Sequence, residues 1–147
     1  MRGKWVLGGP RIGVVLAFAW ALAAVANART DSNPELAALY QADQAARQAD
    51  LGLQENIERL VRGDRARRHR VREMLAAGEV RTGQDFSRAA LIFQHGENEA
   101  DYLLARDLAV IASLKGKFDS MPAYAMDRWL RSIGQPQRFR TQFGGGS

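Results

Sequence analysis

The 147-residue sequence contains no cysteine. This absence excludes disulfide bonds, zinc sites built from thiolates, and a cysteine nucleophile. It also excludes a lipid-anchored lipoprotein, because lipid attachment needs a cysteine just after the signal peptide. The stability of the fold must therefore come from packing and from non-covalent polar contacts.

The common catalytic motifs are missing as well. The sequence has neither a G-x-S-x-G nucleophile motif nor a glycine-rich phosphate loop, so no established hydrolase or kinase pattern applies and no cofactor is predicted. No long segment alternates between apolar and polar residues, and residues 135–143 are the only candidate for an extended segment. The remaining periodic patterns are helical.

The first 28 residues have the pattern of a secretory signal peptide. A positively charged start precedes an apolar run over residues 12–25, and Ala26-Asn27-Ala28 supplies the small-x-small cleavage pattern. A membrane anchor is disfavoured, because this run is shorter than the roughly 20 apolar residues that span a bilayer. We expect cleavage before Arg29 and an exported protein, either periplasmic or secreted.

Removal of the signal peptide lowers the net charge. The full chain has 21 Lys and Arg residues against 16 Asp and Glu residues, and three of the basic residues lie within positions 1–28. The mature net charge is therefore about +2 rather than +5. A nucleic-acid partner is not expected.

The densest cluster of charge lies at residues 59–72. We interpret it as a solvated helical face, because acids precede bases by four residues in the helpful orientation at Glu55–Arg59, Glu58–Arg62 and Asp64–Arg68. The alternative is weak contact of residues 59–72 with an anionic surface such as phospholipid headgroups. Because no aromatic residues are interleaved for base stacking, specific nucleic-acid binding is disfavoured.

Residues 29–84 form a predicted N-terminal amphipathic helical segment. Asn33-Pro34-Glu35 is a helix start, with a capping residue, a proline at the first position and an acid in the first turn. Apolar residues then recur at three- and four-residue steps, as in one long helix or two helices joined near Gly52. Gly63-Asp64 predicts a stop and a new start, and Gly78 predicts the end of the segment.

Residues 85–143 form the predicted helical core. We expect one helix that Asp85 caps and that runs to Gln94, one from Asn98 (or Glu97) to Lys115, and one following Ser120 that ends at residue 133. The helix over residues 98–115 is apolar in nearly all directions, so we expect it at the centre of the fold. The last helix is one-sided, and its polar face carries Asp127, Arg128 and Arg131.

Together these patterns predict an all-α fold. We expect a compact bundle of about five to six helices with short loops and an extended C-terminal tail, followed by a flexible Gly/Ser tail at residues 144–147. A tetratricopeptide-like repeat is the alternative. It is weakened because one plausible repeat is visible and about three are needed to stack stably.

Two groups of polar residues are candidates for chemistry. Glu97, Glu99 and Asp101 alternate like the start of a calcium loop, but the required glycine and closing glutamate are missing, so no metal site is predicted. His95 is expected at the end of a helix, where a capping role is the simpler interpretation. In a catalytic interpretation it is a general acid or base that Asp127 or Glu99 orients.

Three blocks in order carry a resemblance to a known family. AALIFQHG (residues 89–96), DYLLARDLAVIASLKG (101–116) and AMDRWLRSIGQPQRFRTQF (125–143) resemble a bacterial family of unknown function. That family has a Gln-His-Gly turn and a terminal Asp-Arg…Gly-x-Pro-Gln-x-Phe/Tyr-Gly-Thr-Gln-Phe signature. The matching positions are Gln94, His95, Asp127, Arg128, Gly134, Gln137, Thr141 and Gln142.

The chain departs from the family pattern at two positions. Arg106 stands where the family often has histidine, and Arg140 replaces the glycine before Thr-Gln. The resemblance implies a helical exported domain with a polar cluster, and it implies no particular reaction. Loss of a second histidine beside His95 weakens any catalytic role that the resemblance suggests.

We therefore expect a non-catalytic exported module that binds a protein partner or an envelope component. The alternative is a small hydrolase-like enzyme that uses His95 with Asp127 and Arg128. Because the turns at Gly96 and Gly116 are short, consecutive helices must pack as neighbours. Any site is then expected to gather His95, Asp127, Arg128, Gln137 and Gln142. Alternatively, the glutamines only tie the tail back across the helices.

Overall fold

Five α-helices account for the regular structure of this computed structural model, which describes residues 31–48 and 52–142. No strand occurs in those two ranges. The helices are α1 (Pro34–Ala46), α2 (Gln54–Ala76), α3 (Gly83–Gln94), α4 (Glu99–Leu114) and α5 (Met121–Ser132). The all-α prediction is confirmed. The predictions for residues 1–28 and 144–147 lie outside the described residues.

Three of the five helices, α1, α3 and α4, begin at a residue whose side chain caps the helix. Asn33 caps α1 by accepting the N–H of Leu36, and Asn98 caps α4 in the same way. The prediction that Asp85 caps α3 is wrong by three residues. Thr82 is the cap, and Asp85 completes a capping box by accepting the Thr82 N–H. An acid three residues after a threonine is the pattern of that box, so the correct start is visible in the sequence.

The predicted break at Gly63-Asp64 does not occur, because α2 continues through it to Ala76. Asp64 does not cap a new helix there. It pairs with Arg67 one turn later at 2.5 Å and with Arg47 of α1 at 3.0 Å. These ion pairs hold Asp64 within a continuous helix. The end at Gly78, with φ +68°, is as predicted.

The most buried helix is α3 rather than α4. Eight of the twelve residues of α3 are buried, and α3 packs against each of the other four helices. The prediction that residues 98–115 form the centre is wrong, since Val110 and Leu114 of α4 are 44% and 83% exposed. The buried face of α4 consists largely of small residues, with Ala105, Ala109 and Ala112 around Leu108. Small side chains allow α3 and α5 to approach closely.

The segment after α5 turns back on the bundle. Up to Gln142 it contains no strand, and Arg140 adopts a positive φ of 56°. The predicted extended tail is therefore an irregular, folded-back segment in its described part. Within the described ranges, no helix is long and apolar enough to cross a membrane.

Candidate functional site

Asp127 holds the returning tail in place. We predicted an outward-facing side chain, and this is wrong because Asp127 is completely buried. Its carboxylate accepts the backbone N–H groups of Arg138 at 2.8 Å, Phe139 at 3.0 Å and Thr141 at 2.8 Å. It also accepts the Thr141 hydroxyl at 2.9 Å. The carboxylate thus supplies acceptors for a segment that has no regular structure of its own.

The ionised form of Asp127 is favoured. Burial is the largest single influence and raises its pKa, but the hydrogen bonds from Thr141, Phe139 and Arg138 together outweigh burial. The net pKa of Asp127 is lowered. All of this hydrogen-bonding capacity is directed at the tail, so Asp127 is an anchor for main-chain groups.

Gln137 and Gln142 clamp the turn that the tail makes. Gln142 donates its backbone N–H to Oε1 of Gln137 at 2.8 Å, and Nε2 of Gln137 donates to the Gln142 carbonyl at 3.1 Å. The side chain of Gln142 then reaches α5. Its Nε2 donates to the Tyr124 carbonyl at 3.1 Å, and its Oε1 accepts Nε of Arg128 at 2.9 Å.

Arg128 is held at one edge while its other edge is open. Besides the bond to Gln142, the guanidinium lies over the ring of Tyr102, 6.0 Å from its centroid. Its Nη1 and Nη2 atoms have no hydrogen-bond partner among the described residues. A guanidinium that is oriented in this way can donate two parallel hydrogen bonds to a planar anion.

A cleft of about 760 Å³ lies beside Arg128. Helices α3, α4 and α5 and the tail all contribute side chains to it, and Gln94, His95, Tyr124 and Gln142 are among its lining residues. No Asp or Glu residue is part of the lining that the structure describes, whereas two arginines are. The cleft is therefore suited to an anionic ligand.

His95 is oriented by a residue that sequence analysis missed. It is the C-cap residue of α3, and its Nδ1 lies 3.2 Å from the carboxylate of Asp43 on α1. Its Nε2 accepts Nε of Arg47 at 3.2 Å. The predicted orienting residues do not fill this role, because Asp127 bonds the tail and the carboxylate that contacts the ring is that of Asp43. The geometry fits an imidazole that donates from Nδ1 and accepts at Nε2.

Asp43 is completely buried. Burial raises its pKa, but the hydrogen bonds from His95 and Gln44 and the charge of Arg47 together lower it. These side chains form one network, and Asp64 extends it to α2 by pairing with Arg47 at 3.0 Å. Both ring nitrogens of His95 are thereby occupied.

The basic run at residues 59–72 is only partly a solvated face. The predicted pairs Glu55–Arg59 and Glu58–Arg62 are present at 2.6 and 3.7 Å. The predicted pair between Asp64 and Arg68 is not. Arg68 is buried instead, and it donates to the His95 carbonyl and to Glu97, both at 2.7 Å.

Two of the three acids with calcium-like spacing, Glu97 and Asp101, also pair with this run. Hydrogen bonds from Arg65 and Arg68 lower the pKa of Glu97 to about 2. Asp101 is buried and pairs with Arg68 at 3.3 Å and with Arg72. Among the residues that the structure describes, no group of three or more His, Asp or Glu side chains is placed to hold a metal ion. The arginines of α2 thus connect this helix to the α3–α4 turn.

The Gln-His-Gly turn has a steric requirement at Gly96. A Cβ atom there would lie 2.3 Å from Cβ of Asp101, a distance that no side chain tolerates. The Gly96 carbonyl accepts the hydroxyl of Tyr102 at 2.7 Å. Gln94 is 6% exposed and donates to the Tyr124 carbonyl at 3.2 Å, while its Oε1 has no hydrogen-bond partner in the described part of the chain.

The structure thus brings three of the five predicted site residues to one cleft. His95, Arg128 and Gln142 line it, whereas Asp127 and Gln137 support the tail that contributes Gln142. The two tyrosines of the lining were not predicted, because nothing in the local pattern distinguishes them from core aromatics. Comparison of the chain with family models, curated proteins and solved structures found no match.

Proposed function

We propose that this protein is a non-catalytic exported module and that the cleft binds a protein partner or a component of the cell envelope. One observation carries the proposal. Arg128 is oriented by Gln142 and Tyr102, yet its Nη atoms have no partner among the described residues, and the described lining of the cleft contains no acid. An oriented, unpaired guanidinium in a concave site favours a ligand with a negative charge.

The polar contacts favour binding over catalysis. A general base needs a nitrogen within reach of the substrate proton. Nδ1 of His95 is engaged by Asp43, and Nε2 is engaged by Arg47. Asp127, the other residue of the proposed hydrolase pair, directs its oxygens at the tail. Neither side chain has the open geometry that the reaction requires.

A thermal-shift panel tests the proposal. The probes are small carboxylates, phosphates, neutral amides and amines, grouped by charge, and the matched variant is Ser120→Trp. Ser120 lines the cleft, and its side chain makes no capping hydrogen bond, so an indole there fills space without removing a contact. We expect anionic probes to raise the Tm of the natural protein and not that of the variant. Equal shifts in both proteins, or no shift from any class, would refute the proposal.

One observation favours the enzymatic alternative. A buried carboxylate that orients Nδ1 of a histidine beside a cleft is the arrangement found behind many catalytic bases. In this alternative Arg47 must leave Nε2 before His95 can act. Turnover of chromogenic esters or amides that is lost in both His95→Gln and Ser120→Trp would establish it. Turnover that survives either substitution would not.

We also propose that the chain belongs to the uncharacterised bacterial family with the Gln-His-Gly turn. The positions of its terminal signature interact here, since Asp127 binds Thr141, and Arg128 binds Gln142. Arg140, which replaces the family glycine, has a positive φ that favours glycine. A structure of an established family member tests this. We expect its signature aspartate to accept main-chain N–H groups of the C-terminal tail, as Asp127 does here, and a different arrangement would contradict membership.

We propose, finally, that residues 1–28 direct export and are removed. The charged start, the short apolar run and the Ala26-Asn27-Ala28 pattern support this. Intact mass and N-terminal sequencing of the exported protein test it. A product that begins at Arg29 is expected, and a membrane-bound product that begins at Met1 would contradict it.

A further inference from the structure

We infer that the cleft recognises the free carboxylate of an N-acylated amino acid, the chemical group at the end of every peptide. The inference rests on the proposed binding function and specifies its ligand. Two groups in the lining that have no hydrogen-bond partner among the described residues carry it. One is the open edge of Arg128, and the other is Oε1 of Gln94.

The carboxylate is assigned to Arg128. The Nε atom is already used by Gln142, and Tyr102 covers one face of the guanidinium, so the Nη edge is the part left for a ligand. A carboxylate matches two such donors in one plane. The described lining contains no acid that would compete for them.

The amide N–H is assigned to Gln94. Its Oε1 is a buried side-chain oxygen without a hydrogen-bond partner, in a residue that is only 6% exposed. A buried acceptor left unpaired is unfavourable, so a donor that reaches it is bound with a gain. Because Oε1 is covered, the Gln94 side chain has to rotate when the ligand enters. A ligand that brings both a planar anion and a neighbouring N–H satisfies both residues.

The rest of the ligand has space to continue. A second depression of about 250 Å³ adjoins the cleft, and both are lined by Leu91, Ser120 and Met121. Residues that precede the terminal carboxylate can lie across this shared floor. The apolar side chains of Leu91 and Met121 then contact short aliphatic groups on the ligand.

A simple oxyanion fits the lining less well. A phosphate or sulfate dianion brings charge for Arg128 but no donor for Oε1 of Gln94. An acylated amino acid has the complementary donor, and this difference distinguishes the two ligand classes.

Calorimetric titration of the full-length protein with N-acetyl-alanyl-alanine tests the inference. We expect the C-terminal amide of this probe to bind at least about tenfold more weakly, because it lacks the carboxylate. A probe with a methyl group on the last amide nitrogen should show a similar loss, of about tenfold, because it lacks the N–H donor. Both comparisons use the unmodified protein, so neither depends on whether a variant folds.

Protein variants then locate the contact. Arg128→Gln should weaken binding of N-acetyl-alanyl-alanine by at least about tenfold. Arg106→Gln is the matched control, since Arg106 also lies over an aromatic ring, 4.8 Å from that of Trp129, and does not line the cleft. We expect this variant to bind like the natural protein. Equal losses in both variants would overturn the assignment to Arg128.

The outcomes separate this inference from the proposed function. If inorganic phosphate binds in an Arg128-dependent way and N-acetyl-alanyl-alanine does not, the ligand class is wrong although the cleft still binds anions. If the acid and its amide bind equally, the inference also fails. The thermal-shift panel with Ser120→Trp separately tests the proposed function itself.

Competition identifies the source of the carboxylate. A carrier protein that ends in two alanines competes with the probe if the natural ligand is a protein C terminus. If the carrier protein does not compete although an excess of free N-acetyl-alanyl-alanine does, the ligand is a small acylated peptide. Either result supports the inference, whereas a lack of binding of N-acetyl-alanyl-alanine itself overturns it.

Discussion

The Nε atom of Arg128 donates a 2.9 Å hydrogen bond to Oε1 of Gln142. The two residues are 14 positions apart in the sequence, and one lies on α5 whereas the other lies on the returning tail. The bond sets the orientation of the cation in the cleft. It also makes that orientation dependent on the tail.

Gln142→Glu should weaken binding of N-acetyl-alanyl-alanine by at least about tenfold, because a carboxylate at this position would neutralise Arg128 and repel the ligand. Isothermal titration measures the effect. Gln135→Glu is the control, since Gln135 is an exposed residue of the same tail and does not line the cleft. An unchanged affinity in Gln142→Glu would show that Arg128 does not contact the ligand.

Asp127→Asn should lower the free energy of unfolding by at least about 2 kcal/mol at pH 7, because the charged acceptor of several tail N–H groups is lost. The pKa of Asp127 is lowered in the folded protein. Its contribution is therefore complete above the unfolded pKa and is lost as the pH falls through the folded pKa. The difference between the two proteins should shrink below about pH 4.

Urea unfolding at a series of pH values checks this dependence. Asp107→Asn is the control, since Asp107 is exposed and its side chain bonds to the neighbouring Arg106. We expect its stability to match that of the natural protein within about 0.5 kcal/mol. A difference for Asp127→Asn that stays constant down to pH 2 would contradict the role of its charge.

Two leucines of α4 should respond differently to truncation. Leu108 is 3% exposed and belongs to the core cluster, so Leu108→Ala should lower the free energy of unfolding by about 2–5 kcal/mol. Leu114 is 83% exposed, and Leu114→Ala should change it by less than about 0.5 kcal/mol. Chemical denaturation measures both. Similar losses at the two positions would mean that α4 is covered on both faces.

Arg140→Gly should raise the free energy of unfolding by about 0.5–1 kcal/mol. The positive φ of 56° is unfavourable for arginine and costs glycine nothing, although the greater freedom of glycine in the unfolded chain offsets part of the gain. Arg138→Gly in the same tail lacks this conformation and should be slightly less stable than the natural protein. Denaturant midpoints compare the three proteins, and a loss of stability in Arg140→Gly would be evidence against the positive φ.

Helix boundaries are largely predictable because caps are local. Asn33, Asn98 and Gly116 each act through neighbours within a few positions, and all three mark a boundary in the structure. The helix break predicted at Gly63-Asp64 was wrong, because Asp64 forms an ion pair with Arg47 of α1 that the local sequence pattern does not show. The ranking of helices by burial failed for a similar reason. We predicted that the helix with the most large apolar residues, α4, lies at the centre of the fold. Its buried face instead consists largely of alanines, and its large apolar residues Val110 and Leu114 are exposed.

Only some residues of the candidate site could be predicted from the sequence. Arg128 and Gln142 were singled out by the terminal signature that the chain resembles, whereas the helix register that brings His95 to the same cleft is not specified by the sequence. Asp43 lies 52 positions before His95, and no periodicity or motif connects the two. A buried polar contact of that kind depends on how α1 is placed on α3, which local patterns do not specify. Asp127 was misplaced because its partners are main-chain groups, which every residue type carries.

The tail that Asp127 binds also determines when the cleft is completed during synthesis of the chain. Thr141 and Gln142, which close one wall of the cleft, follow all five helices in the sequence and are therefore synthesised after them. A chain trimmed before residue 141 would contain the sequence of every helix and lack that wall, so the proposed binding would be lost by removal of the tail alone.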